Sequence, residues 1–163
     1  MKDRKLSSNK SAVVPTKLDP KKVYEEHCLQ ELRAAGYRIT MPRIQVIRAL
    51  ADASEALSAY AIHERIMSSG GRIDVVSVYR ILATLQQVGL IHHIGIVDGY
   101  FPCRIGDCPN KRTLVLVADD TKNVYELPLS QSAVAEIEAA ATTAGYRADT
   151  IKIEVNGVKI GRK

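Results

Sequence analysis

The stretch Asp74-Val-Val-Ser-Val-Tyr-Arg-Ile-Leu-Ala-Thr-Leu-Gln-Gln-Val-Gly-Leu-Ile91 decides how this chain is read. Val78, Ile81, Leu82, Leu85 and Val88 recur at i, i+3, i+4, i+7 and i+10, the spacing of one helical stripe that must bury against other elements. The opposite side carries Ser77, Arg80, Thr84 and Gln87, with Tyr79 on its flank. Asp74 is placed to cap the start by accepting a backbone N–H, and Gly89 to close the end in the left-handed conformation. A guanidinium, a phenol, hydroxyls and an amide on one helix face suit the DNA major groove. There arginine fits guanine edges or phosphates, and small hydroxyls let the backbone come close.

Upstream, residues 1–18 are polar and basic and read as a disordered arm. Asp19-Pro20 then starts a helix, with Tyr24, Cys28, Leu32 and Ala35 as its apolar stripe and Gly36 at its end. Cys28 on that stripe reads as a small core residue. A second helix opens at Thr40-Met-Pro-Arg43, with Ile44, Ile47 and Leu50 inward. Ser58 caps a third, residues 59–69, with Ala59, Ile62 and Ile66 inward and His63 as a solvated residue; Gly70-Gly71 terminates it. The Asp74 helix is the fourth.

Downstream, Leu90–His93 and Tyr100–Pro102 flank a turn region with Gly95 and Asp98-Gly99, which predicts a β-hairpin. Helices followed by a two-stranded wing give the order of a winged helix-turn-helix. Composition shifts after Pro102, where residues 103–112 form a loop rich in Gly, Pro, Asn and charge. Thr113–Ala118 and Asn123–Pro128 predict paired strands around Asp119-Asp120. Ser130–Ala144 predicts a helix with Val134, Ile137 and Ala141 inward. Over Arg147–Val155, Ile151, Ile153 and Val155 alternate with Lys152 and Glu154. The expected fold is therefore α+β: an N-terminal winged helix over residues 19–102, then a β-β-α-β piece over 103–163. That piece is too small to bury its faces alone, so a homodimer is expected.

The 163 residues carry a net charge of +5, a mild bias compatible with a nucleic-acid partner. Three cysteines, an odd and sparse set, argue against a disulfide framework and suit a reducing cytoplasm. No apolar run approaches membrane-spanning length, and the N-terminus lacks the apolar core of a signal peptide. Nothing in the chain forms a nucleophile–base pair, a phosphate-binding glycine loop or a carboxylate dyad, so no enzyme is expected.

Four segments in order, Gly36-Tyr-Arg-Ile-Thr-Met-Pro-Arg43, Ser58-Ala-Tyr-Ala-Ile-His63, Ser77-Val-Tyr-Arg-Ile-Leu82 and Gln87-Val-Gly-Leu-Ile91, resemble the DNA-binding half of the ferric uptake regulator family. The likeness runs from about Pro20 to Glu126 and is strongest between Gly36 and Ile91; more weakly, the β-β-α-β order carries it to the C-terminus. It implies a dimeric, metal-sensing repressor with an N-terminal winged helix and a C-terminal dimerisation domain. By that likeness Tyr79 and Arg80 would contact bases and backbone in the major groove, and Arg38 the minor groove. Arg43, just inside a helix N-terminus, is a candidate phosphate contact, and Ser77 and Thr84 complete the expected DNA-facing set.

Within the family the zinc uptake regulator branch matches best. Its metal set uses a His on the first wing strand, a Cys closing the second, a downstream His and a Glu. Here His92 and Cys103 lie 103 − 92 = 11 residues apart, and Glu126 lies 126 − 92 = 34 past His92, matching that pattern. The second His falls at Lys111, which cannot ligate while protonated, so Cys108 stands in as the candidate fourth ligand, with His93 and Asp107 behind it. Two thiolates, an imidazole and a carboxylate make a tetrahedral zinc shell. The resemblance also brings a departure. Many relatives hold the C-terminal domain with two Cys-x-x-Cys pairs, and the aligned positions here are Ala118, Thr121, Lys159 and Arg162, none a zinc ligand. One regulatory zinc per chain and no structural zinc are expected, with packing through Leu114, Leu116, Val124, Leu127, Ile151 and Ile153 in its place. The histidine-rich segment of many iron-sensing relatives is absent as well, which counts against iron.

The resulting expectation is a cytoplasmic, dimeric, zinc-responsive repressor of palindromic operators. Two alternatives stay open. One is a metal-independent DNA binder, or one switched by Cys103–Cys108 oxidation; the other is a winged-helix module that binds a protein partner.

Overall fold

A computed structural model describes residues 19–104 and 112–161. The expected arm at 1–18, Cys108 and Asp107 lie outside the described residues. The N-terminal half is four helices, α1 (Pro20–Ala34), α2 (Met41–Ala51), α3 (Ala59–Ser68) and α4 (Val75–Val88), followed by a hairpin of β1 (Ile91–Ile94) and β2 (Gly99–Pro102). A 3₁₀ turn, Gly95–Val97, joins the two strands. The C-terminal half is β3 (Arg112–Ala118), β4 (Val124–Leu127), α5 (Gln131–Thr143) and β5 (Ile151–Gly157). This is the α+β order expected from the sequence.

Local chemistry sets the helix ends. Asp19 accepts the Lys21 N–H at 3.1 Å, Ser58 the Ala61 N–H at 3.1 Å and Asp74 the Ser77 N–H at 2.8 Å. Gly89 takes φ +84°, a left-handed conformation that a side chain would strain, and so turns the chain from α4 into the wing. Thr40 sits at the N-cap of α2 but makes no side-chain cap bond, so Pro42 in the first turn carries that start.

The main core joins Tyr24, Cys28 and Leu32 of α1 to Val46, Ile47 and Leu50 of α2, Ile62 and Ile66 of α3, and Val78, Leu82 and Leu85 of α4. The Tyr24 hydroxyl donates to the Leu90 carbonyl at 2.9 Å, which satisfies a buried polar atom and ties α1 to the start of the wing. Two expectations shift here. Ala35 is exposed because α1 ends before it, and Val46, rather than the half-buried Ile44, fills the α2 side of the core.

In the wing, His92 pairs with Phe101 and Ile91 with Pro102. Leu57, ahead of α3, forms an isolated antiparallel bridge to Tyr100 of β2. The C-terminal sheet runs β4-β3-β5, with β3–β4 antiparallel and β3–β5 parallel. A second core lies between wing and sheet: Ile94 and Phe101 pack with Val115, Val117 and Val124. The two halves are therefore joined through apolar contact, through a hydrogen bond from the Val124 N–H to the Ser54 carbonyl at 2.9 Å, and through the Glu55–Asn123 bridge.

The sheet faces the wing with the side that carries Lys152 and Glu154. Val115 and Val117 are buried against it, and the parallel register sets Glu154 beside Val115 and Lys152 beside Thr113 on that same side. Of the expected packing residues, Val124 and Ile151 are buried, whereas Leu114, Leu116, Leu127 and Ile153 remain half-buried, Leu114, Leu116 and Ile153 on the face away from the wing. Val134, Ile137 and Ala141 of α5 are likewise only half-buried, because a lone helix and a three-stranded sheet cannot close over one another.

Candidate DNA-binding surface and metal centre

On α4 the apolar stripe is turned inward as the spacing requires, so Tyr79 and Arg80 are left exposed on the outer side. Ser77 is half-buried. Its backbone N–H and its hydroxyl both go to Asp74, the latter at 2.6 Å, and these bonds hold the Asp74 carboxyl below its usual range. Its first duty is therefore to fix the helix start. Thr84, half-buried, donates its hydroxyl to the Arg80 carbonyl at 3.1 Å. Arg38 is exposed ahead of α2. Arg43 donates to the Arg38 carbonyl, and its guanidinium lies 5.3 Å from the centre of the Tyr37 ring, so it braces the segment that presents Arg38.

One residue on this surface was not singled out from sequence. Tyr60 of α3 is 63% exposed, and its ring meets that of Tyr79 edge-on at 6.3 Å, so two phenols stand together beside Arg80. Its signal lay in the Ser58-Ala-Tyr-Ala-Ile-His63 segment, where a tyrosine follows the cap on the polar side. His63, expected to be solvated, is half-buried with its Nε2 3.0 Å from the Ile73 carbonyl, joining α3 to the turn before α4.

The second cluster forms at the base of the wing. His92 lies on β1, Cys103 follows β2 and Glu126 lies on β4, so the first two come from one half and the third from the other. One ligand atom from each lies within 4.8 Å of the others, and among the described residues these three are the group that converges in this way. His92 and Cys103 are buried, and the Glu126 side chain is 9% exposed. The His92 Nε2 stands 2.6 Å from Glu126 Oε1, while Glu126 Oε2 accepts the Arg104 N–H at 2.9 Å. Arg104 also reaches the Ala51 and Ala53 carbonyls at 3.3 and 2.6 Å. It thus caps the C-terminal end of α2 while steadying the carboxylate; nothing in its loop sequence signals that role.

A nitrogen, a sulfur and a carboxylate oxygen suit a divalent ion of borderline softness. Ligand atoms around zinc sit roughly 3.3–3.8 Å apart, given bonds of about 2.0–2.3 Å. The three ligand atoms already lie within 4.8 Å of one another, so His92, Cys103 and Glu126 are the residues that would hold such an ion. Cys103 is in the disulfide state here, so ligation requires its reduction to the thiolate.

Comparison with known proteins identifies the family. The chain is 29% identical over 97 residues to the ferric uptake regulation protein of Pseudomonas aeruginosa, covering 59% of this chain and 71% of that protein. It is 26% identical over 102 residues to the zinc uptake regulation protein of Escherichia coli, covering 63% and 57%. The fold superposes on a zinc uptake regulator solved in complex with zinc and DNA with a TM-score of 0.78, at 20% identity, over 86% of this chain and 93% of that one. No helix among the described residues is long and apolar enough to cross a membrane. Residues 34–155 match the ferric uptake regulator family, and the chain belongs to that family of metal-responsive DNA-binding regulators rather than to any class of enzyme.

Proposed function

We propose that this protein is a zinc-responsive transcriptional repressor that binds palindromic operators as a homodimer. The observation that carries the reading is the convergence of His92, Cys103 and Glu126 at the junction of the two halves. A divalent ion held there would supply a cross-link between the wing and β4. His92 and Cys103 then fix the wing, and Glu126, steadied by the Arg104 N–H, fixes the sheet. Residues 19–102 act as the DNA-binding domain and 103–163 as the dimerisation and metal-sensing domain. Tyr79 and Arg80 enter the major groove, with Ser77 holding the helix start and Thr84 one turn on; Arg38 approaches the minor groove and Arg43 a backbone phosphate. DNA and metal favour the same inter-domain angle, so each raises affinity for the other.

The dimer reading is supported by apolar area left uncovered in the C-terminal half: Leu114, Leu116 and Ile137 are only half-buried and Val155 is 38% exposed, area that a second copy would cover. The donor set supports zinc over iron: a thiolate beside an imidazole and a carboxylate is a common zinc shell. The fourth ligand falls to Cys108 on spacing alone.

The disulfide at Cys103 is the one observation compatible with a second reading, a regulator switched by thiol oxidation at the same junction. Metal content of the reduced, purified protein decides between them, measured by plasma mass spectrometry beside a His92→Ala, Cys103→Ser double variant. About one zinc per chain, lost in the variant, is expected for a single sensory site. Absence of zinc from both proteins after incubation with the metal sinks the zinc reading and leaves the thiol-switched or metal-independent DNA binder.

A further inference from the structure

We propose that Lys152 and Glu154 of β5 are positioning residues that clasp the tip of the wing, holding it against the C-terminal sheet without a metal. Glu154 accepts the Gly95 N–H on one carboxylate oxygen at 3.0 Å and the Ile96 N–H on the other at 2.9 Å. Lys152 donates to the His93 carbonyl and pairs with Glu154 at 2.6 Å. One ammonium and one carboxylate thus take up backbone groups of the wing turn from the opposite half of the molecule. The Glu154 side chain is only 15% exposed. Burial opposes its charge, but the bonds from Lys152, Gly95 and Ile96 prevail and hold its carboxyl below the usual range.

Position gives the clasp its consequence. His92 and Cys103 anchor the base of the hairpin, whereas Gly95 and Ile96 form its turn, at the far end of a four-residue strand pair. A hairpin fastened at one end pivots, and one fastened at both ends does not. The bonds are charge-assisted and directional, and they ask nothing of a metal. They also occupy two amides that a wing could otherwise offer to a phosphate, so the wing acts on DNA through its placement rather than through those amides. The clasp rests on the DNA-binding reading above only for its functional consequence.

The test uses the full-length, reduced protein in EDTA and in zinc, comparing wild type with Glu154→Ala, Glu154→Gln and Lys152→Met. Amide hydrogen exchange at Gly95 and Ile96 is expected to quicken at least tenfold in Glu154→Ala. Exchange in α4 should stay at the wild-type rate, and Glu154→Gln should recover part of the protection because its amide oxygen still accepts. Lys152→Met should lie between wild type and Glu154→Ala. Affinity for a duplex that wild type selects from a random pool is expected to fall at least fivefold in EDTA for Glu154→Ala, and less in zinc. Unchanged exchange at both amides, or equal affinities in EDTA, overturns the clasp; where wild type binds no duplex in EDTA, exchange decides. A wild type indifferent to zinc refutes the zinc reading while the EDTA comparison still judges the clasp. If no duplex is selected at all, the DNA reading fails and exchange alone decides.

Discussion

Truncating Phe101 to alanine tests whether the second core joins the two halves as the packing implies. The ring is 2% exposed and lies among Ile94, Val115, Val117 and Val124, so it fills the space between wing and sheet. A buried aromatic side chain removes about 150–250 Å² from water, which at ~25 cal/mol per Å² comes to roughly 4–6 kcal/mol. Measured Phe→Ala losses of about 3–5 kcal/mol overlap this range, and ~4 kcal/mol is the expected cost. Against a total stability of about 5–15 kcal/mol, that loss is severe but survivable. With a urea m-value of about 2 kcal/mol per M, the unfolding midpoint should fall by roughly 2 M at fixed protomer concentration. Leu32→Ala, in the main core, is the control: it costs about 2–5 kcal/mol and leaves the junction alone. Phe101 pairs with His92 across the hairpin, so Phe101→Ala should also weaken metal binding, while Leu32→Ala should not. Circular dichroism in urea and a competitive zinc titration read the two effects. A loss below about 1 kcal/mol, or equal zinc affinity in the two variants, would refute the argument.

Arg80→Ala should lower affinity for a duplex selected by the wild-type protein about 5- to 150-fold, the range for losing a paired arginine–base contact. The salt dependence of binding, measured by fluorescence anisotropy, should persist because phosphate contacts remain. Equal affinity would favour the protein-interaction module instead. Cys28 is fully buried, and burial pushes its thiol up to about 12, so almost no thiolate exists near neutral pH. Iodoacetamide at pH 8 should therefore leave Cys28 unlabelled in the native protein and label it in denaturant, as peptide mass mapping would record. Labelling of the folded protein would place the α1 stripe elsewhere.

How much of this was legible in the sequence varies with the range of the interaction. The helical stripe of α4, its Asp74 cap and its Gly89 stop were readable because a helix is closed by contacts three or four residues apart. The wing strands followed from turn residues, and the His92–Cys103–Glu126 set from its spacing beside a family likeness. The pairing of Tyr60 with Tyr79 and the bond from His63 to Ile73 join separate elements, so no local pattern announced them.

The sequence by itself determined which segments are helices and strands and which side of α4 faces outward, because period and capping are local. Only the tertiary structure decided which face of the C-terminal sheet meets the wing. Alternation shows that Lys152 and Glu154 share a side, but it cannot say what that side meets. That depends on the parallel pairing of β5 with β3, some forty residues apart in the chain, which turns both toward the backbone groups of the wing.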